Sequence, residues 1–234
     1  MSWMQPALGR GRFDDLIFCP LDLSPPPEID VKEFIEWMRS DPLRTGEYPK
    51  AHYERVTGNP YPWLMRSLSS DLEPLRAAFP QVHAYCAQYP LKPLKTVIFL
   101  AQNGHQSVFT HTDSDGLVGL RFYLANKNVE GLHFYRGKEK YDSFSCYPRD
   151  AEGRPISANL PEYFDMESKI YARFPSDVRS FMLNSARAAH GIDSNTCELG
   201  DRIAVLVQGE VDATAYEALI ERSLEKYGQF AIWY

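Results

Sequence analysis

The chain has few cysteines, no long apolar run and no excess of basic charge, and each absence removes a class of function. Cys19, Cys86, Cys146 and Cys197 lie far apart with no CxxC pair, so neither a zinc knuckle nor a dense disulfide framework is expected, and the thiols read as reduced and mostly buried. Nowhere do roughly 18 apolar residues run together, so no transmembrane helix is expected. The opening stretch MSWMQPALGRGRFDD holds no apolar segment ahead of a cleavage site, which points to the cytoplasm. A net charge of -6 and a pI near 5.5 offer no attraction to nucleic acid or an anionic membrane, so neither is expected as a partner. Internal repeats are absent, and low complexity is confined to Ser24-Pro25-Pro26-Pro27, an extended linker.

What is present is the composition of a globular chain: 44% hydrophobic, 13% aromatic and 24% charged over 234 residues. One domain is expected over 1–234, with a helical and loop part at 1–94, a β-barrel core at 95–211 and a C-terminal helix at 212–234. Asp30 is placed to cap a helix running to about Asp41, with Val31, Phe34, Ile35 and Met38 on one stripe. Residues 44–62 read as an ordered loop in which Tyr48, Tyr53 and Tyr61, with Trp63 beside them, suggest a lid. Trp63 to Phe79 reads as helix broken at Pro74. From Lys95 onward the runs Thr96–Leu100, Val118–Leu124, Leu132–Tyr135, Ile170–Phe174, Ser180–Leu183 and Ile203–Val207 read as strands, the last preceded by a Leu199-Gly200-Asp201 turn. The stretch near 138–166 is an insertion, and Ala213 to Tyr227 closes the chain as a helix with Tyr216, Leu219, Ile220 and Tyr227 on one face. Mainly β, as a double-stranded β-helix of the jelly-roll or cupin-like kind with flanking N-terminal and C-terminal helices, is the fold class this order supports.

Two segments carry chemistry. In an extended chain residues i and i+2 share a face, so His111 and Asp113 can offer a nitrogen and an oxygen to one ion. His190 is the best third ligand, completing two histidines and one carboxylate with open positions, the arrangement of non-haem Fe(II) oxygenases. Arg202, twelve residues beyond His190, can meet the far carboxylate of 2-oxoglutarate with two parallel hydrogen bonds.

These residues resemble the 2-oxoglutarate/Fe(II) oxygenases, whose signature is HxD, a distal His and then an Arg or Lys. The resemblance spans about Lys95 to Val211. Within it, Leu120-Arg121-Phe122-Tyr123-Leu124 after His111 is similar to the aspartyl/asparaginyl β-hydroxylase branch, which includes bacterial proline hydroxylases. The resemblance implies catalysis by His111, Asp113 and His190 as iron ligands, with Arg202, Tyr123 and Arg121 around the co-substrate. Tyr123 would touch its metal-proximal part, and Arg121 would face either the co-substrate or an acidic group of the substrate. It also implies O2 as reactant and hydroxylation of a free amino acid or an amino-acid-derived small molecule, with succinate and CO2 released.

Plainer readings stand beside this one. HxD alone occurs by chance, and its bland reading is a solvated turn. His105 reads as a loop or substrate-facing residue, and His133 as a hydrogen-bonded barrel histidine. A cupin-type enzyme without 2-oxoglutarate would need the triad but not Arg202, and a non-catalytic binding barrel would need neither. A protein side chain is the alternative substrate, and a second copy of the chain is a candidate partner.

Overall fold

Strands dominate the computed structural model, which describes residues 12–40, 63–102, 108–111, 118–126, 131–135, 169–184, 188, 190–192 and 198–234. Helix α1, Val31–Arg39, begins as its sequence dictates: the Asp30 carboxylate accepts the Glu33 amide at 3.0 Å, and Phe34, Ile35 and Met38 are buried. Its far end is held by a residue outside the helix. Arg66 donates to the Trp37 carbonyl and, at 3.1 Å, to Ser40 Oγ, while its guanidinium lies 3.9 Å from the Trp37 ring centroid. At the chain's end, helix α4 covers Ala213–Tyr227 as expected, capped by Asp212 on the Ala215 amide at 3.1 Å. Its buried face includes Tyr216, Leu219, Ile220 and Tyr227.

The strands are β1 (Leu16–Pro20), β2 (Trp63–Ser69), β3 (Leu91–Gln102), β4 (Val108–His111), β5 (Val118–Asn126), β6 (Leu132–Tyr135), β7 (Lys169–Tyr171), β8 (Ser180–Asn184), β9 (His190–Ile192), β10 (Arg202–Val211) and β11 (Ile232–Trp233). They form a seven-stranded sheet in the order β11-β1-β8-β5-β10-β3-β2 and a four-stranded sheet in the order β4-β9-β6-β7. All pairings are antiparallel. From β3 to β10 the chain passes repeatedly from one sheet to the other, a jelly-roll-like arrangement.

Strand periodicity then sorts the side chains into two cores. On one face of the large sheet Val97, Phe99, Leu120, Phe122, Ile203, Val205 and Val207 pack with the helices α1, α4, α2 (Glu73–Ala78) and α3 (Pro80–Cys86). Phe34 is the hub there, with ring centroids of Phe79 and Phe99 at 4.8 and 5.3 Å. The opposite face presents Tyr123, Phe181, Leu183 and Ala204 to Leu132, Phe134 and Ile192 of the small sheet.

Several expectations are corrected. Trp63 to Phe79 is not one helix: it is strand β2 followed by α2 and α3. Strand β1, fully buried, was not anticipated, and together with β2 it makes the part before residue 95 contribute two strands to the large sheet. The loop at 44–62 and the insertion near 138–166 lie outside the described residues. The turn at Leu199-Gly200-Asp201 stands, with Gly200 at φ +101 and the Asp201 amide bonded to the Glu198 carbonyl at 3.0 Å. A Cβ on Gly200 would meet Val31 Cγ1 at 2.6 Å, so the turn is pressed against α1.

Candidate active site

The small sheet brings the two distant histidines together. His111 closes β4, His190 opens β9, and the two are direct partners in the antiparallel ladder. The face His190 occupies is fixed by its other neighbour: it also pairs with Phe134, which is buried between the sheets, and the two rings lie 6.4 Å apart. His190 is itself buried, and its Nδ1 stands 3.2 Å from the Ala188 carbonyl. A carbonyl only accepts, so Nδ1 carries the proton and the lone pair sits on Nε2, the tautomer a metal ligand needs. Asp113 lies outside the described residues, and among those residues no cluster of three metal-ligating side chains occurs.

His133 is settled by the same ladder. It pairs with Gly191, one position on from His190, and so occupies the opposite face. There its Nδ1 meets the Gly131 carbonyl at 3.0 Å and its ring packs edge-on against Tyr135 and Tyr171. It is a hydrogen-bonded barrel histidine. His105 lies outside the described residues.

Arg202 begins β10 and is only 3% exposed. Its Nε and Nη2 are buried, with no hydrogen-bond partner among the described residues. These two nitrogens form one edge of the guanidinium, the edge that offers two parallel N–H bonds to a carboxylate. A buried charge with open donors costs several kcal/mol by order of magnitude until an anion answers it. Tyr123 pairs with Ala204, two positions along β10 from Arg202, and the Arg202 guanidinium lies 5.4 Å from its ring. Its other ring neighbours are Phe181 at 5.1 Å and Phe174 at 5.9 Å.

Arg121 lies elsewhere. Its guanidinium folds back along β5, and a Cβ on Gly119 would meet its Nε at 3.0 Å and its Nη2 at 3.4 Å. Arg202 pairs with Asn126 at the other end of β5, a separation of about 16 Å at the strand's rise per residue. The two arginines thus serve opposite ends of the strand, and Arg121 sits at the end entered from the segment that contains Asp113.

Two residues were missed from the sequence. Asn126 is the ladder partner of Arg202, and both its Nδ2 and its Oδ1 are buried without a partner among the described residues. Gln102, 1% exposed, follows Ala101, which pairs with Ile203 on the other side of β10. Their only signal was a polar residue closing an apolar strand run. The thiols of Cys19 and Cys86 are fully buried, and that burial pushes both up to about 12. Burial likewise raises Tyr85 to about 12, and it is fixed structurally: it donates to the Ser24 carbonyl at 2.7 Å and meets Ser180 Oγ at 2.6 Å.

No protein-family model matches this chain, and no curated protein matches it in sequence. Among solved structures, HygX from Streptomyces hygroscopicus with nickel and 2-oxoglutarate bound is 18% identical, with 85% of this chain and 84% of that one covered, at a TM-score of 0.42. The non-heme alpha ketoglutarate dependent carbocyclase SnoK from nogalamycin biosynthesis is 14% identical over 93% of this chain and 94% of that one, at a TM-score of 0.38. At these scores the overlaps carry no argument, and the functional reading rests on the chain's own residues.

Proposed function

We propose that this protein is a non-haem Fe(II) and 2-oxoglutarate-dependent oxygenase on a double-stranded β-helix, hydroxylating a free amino acid or an amino-acid-derived small molecule. The observation that carries the reading is the buried Arg202 edge, two parallel donors with no acceptor among the described residues, on the sheet face that looks toward the small sheet. A carboxylate is the anion whose shape matches that edge. His111 and His190, paired in register, and Asp113 are the residues to hold Fe(II), leaving positions for the 2-oxo acid end of the co-substrate and for O2. The bound metal and co-substrate supply the oxidising chemistry that places oxygen into a C–H bond and releases succinate and CO2.

The chain's residues do the rest. His190 keeps its donor lone pair on Nε2 through the Ala188 carbonyl. Arg202 fixes the far carboxylate, Tyr123 lines the route between that carboxylate and the metal, and the apolar residues around them keep the site dry. Arg121, at the other end of β5, is assigned to an acidic group of the substrate, which agrees with an amino acid's carboxylate. Fe(II)-dependent conversion of 2-oxoglutarate to succinate should fall at least about a hundredfold in Arg202→Ala, in line with loss of a bidentate charged pair. Undiminished metal-dependent turnover in that variant would instead favour a cupin-type enzyme that does not use 2-oxoglutarate.

A further inference from the structure

Asn126 is the residue whose chemistry the proposed function leaves unused. It ends β5 directly opposite Arg202, and both side-chain polar atoms are buried without a partner among the described residues. A buried primary amide normally satisfies both ends, because each open group forfeits its hydration. Two such groups facing each other across one ladder pair therefore mark a receptor built for a third party. The neighbouring guanidinium requires that party to be an anion, and the amide supplies what the arginine edge lacks: a donor approaching from the adjacent strand.

We propose that Asn126 is a specificity-determining residue for the co-substrate, its Nδ2 donating to the far carboxylate held by Arg202. This inference rests on the 2-oxoglutarate reading and deepens it. Three donors converge on one carboxylate, so a 2-oxo acid lacking that group leaves all three unanswered. The receptor selects dicarboxylates over 2-oxo acids with an apolar tail. An amide suits the position because it adds a donor without cancelling the arginine's charge. An aspartate of the same shape would pair with Arg202 internally and repel the ligand.

The test titrates 2-oxoglutarate into the anaerobic Fe(II)-loaded protein by calorimetry and records the melting temperature of the metal-free chain, for wild type, Asn126→Asp and Asn126→Ser. Asn126→Ser should weaken 2-oxoglutarate binding roughly tenfold, the scale of one hydrogen bond to a charged group. Asn126→Asp should weaken it about a hundredfold or more while raising the metal-free melting temperature by about 2–4 °C, as its carboxylate answers Arg202. Fe(II) affinity should be unchanged in both. If both variants bind 2-oxoglutarate like wild type, Asn126 has no such role and the proposed function is untouched. If wild type itself binds no 2-oxoglutarate, the functional reading fails and takes this inference with it.

Discussion

At the residue scale the account turns on a charge kept buried at a cost. Arg202 gives up the hydration of one guanidinium edge and gains no acceptor for it among the described residues. Arg202→Met keeps the apolar stem and removes the charge, so the metal-free chain should become more stable by about 1–3 kcal/mol, read from urea unfolding. The same variant should lose all stabilisation by 2-oxoglutarate. A metal-free Arg202→Met protein less stable than wild type would show that the edge has an acceptor and that the ligand argument is misplaced. Arg202 was singled out in the sequence by its offset from His190, as were His111 and His190 by their spacing. Asn126 was not, because its meaning comes from a cross-strand register that joins residues far apart in the chain. Gly119 likewise gains its significance only once the Arg121 side chain is seen lying over it.

At the element scale the turn before β10 sets where Arg202 falls. Gly200 there combines a φ of +101 with a close approach to Val31. Gly200→Ala should therefore cost about 2 kcal/mol, combining the left-handed backbone penalty with an overpacked contact. Unchanged urea or thermal unfolding of that variant would contradict the described packing of α1 on the turn. The caps, stripes and β-branched runs made α1, α4, β6 and the cores of β5, β8 and β10 readable in advance. Strand β2 was misread for a physical reason. Leu64, Leu68 and Leu72 recur every fourth residue, a spacing that fits one face of a helix and, being even, one face of a strand. Pairing with β3 decides it. Arg66 belongs to the same face as Leu64 and Leu68, and its role at the end of α1 is invisible until that strand is in place.

At the scale of the whole molecule the helix-side core carries groups that titrate only at high pH. The thiols of Cys19 and Cys86 are held near 12 against an ordinary value of 9.0, and Tyr85 is held near 12 against 10.0. Because the folded values are raised, the unfolded chain releases these protons first, so stability is full below pH 9 and falls between about pH 9 and 12. The slope approaches roughly 1.4 kcal/mol per pH unit for each group while it is ionised only in the unfolded chain. Urea midpoints measured across that range should decline steadily, and a flat profile would contradict the burial of these residues. Tyr123, beside the proposed site, packs on the other side of the large sheet, separated from that core by the sheet itself.

One carboxylate-anchoring arginine and one His-Asp-His set are proposed to serve the same small molecule. Adding Fe(II) and 2-oxoglutarate to the metal-free protein without oxygen, and recording the visible spectrum, tests this most directly. A weak metal-to-ligand charge-transfer band is expected, and it should be lost in Asp113→Ala and in Arg202→Ala. Iron binding with no such band in the unaltered protein would contradict it.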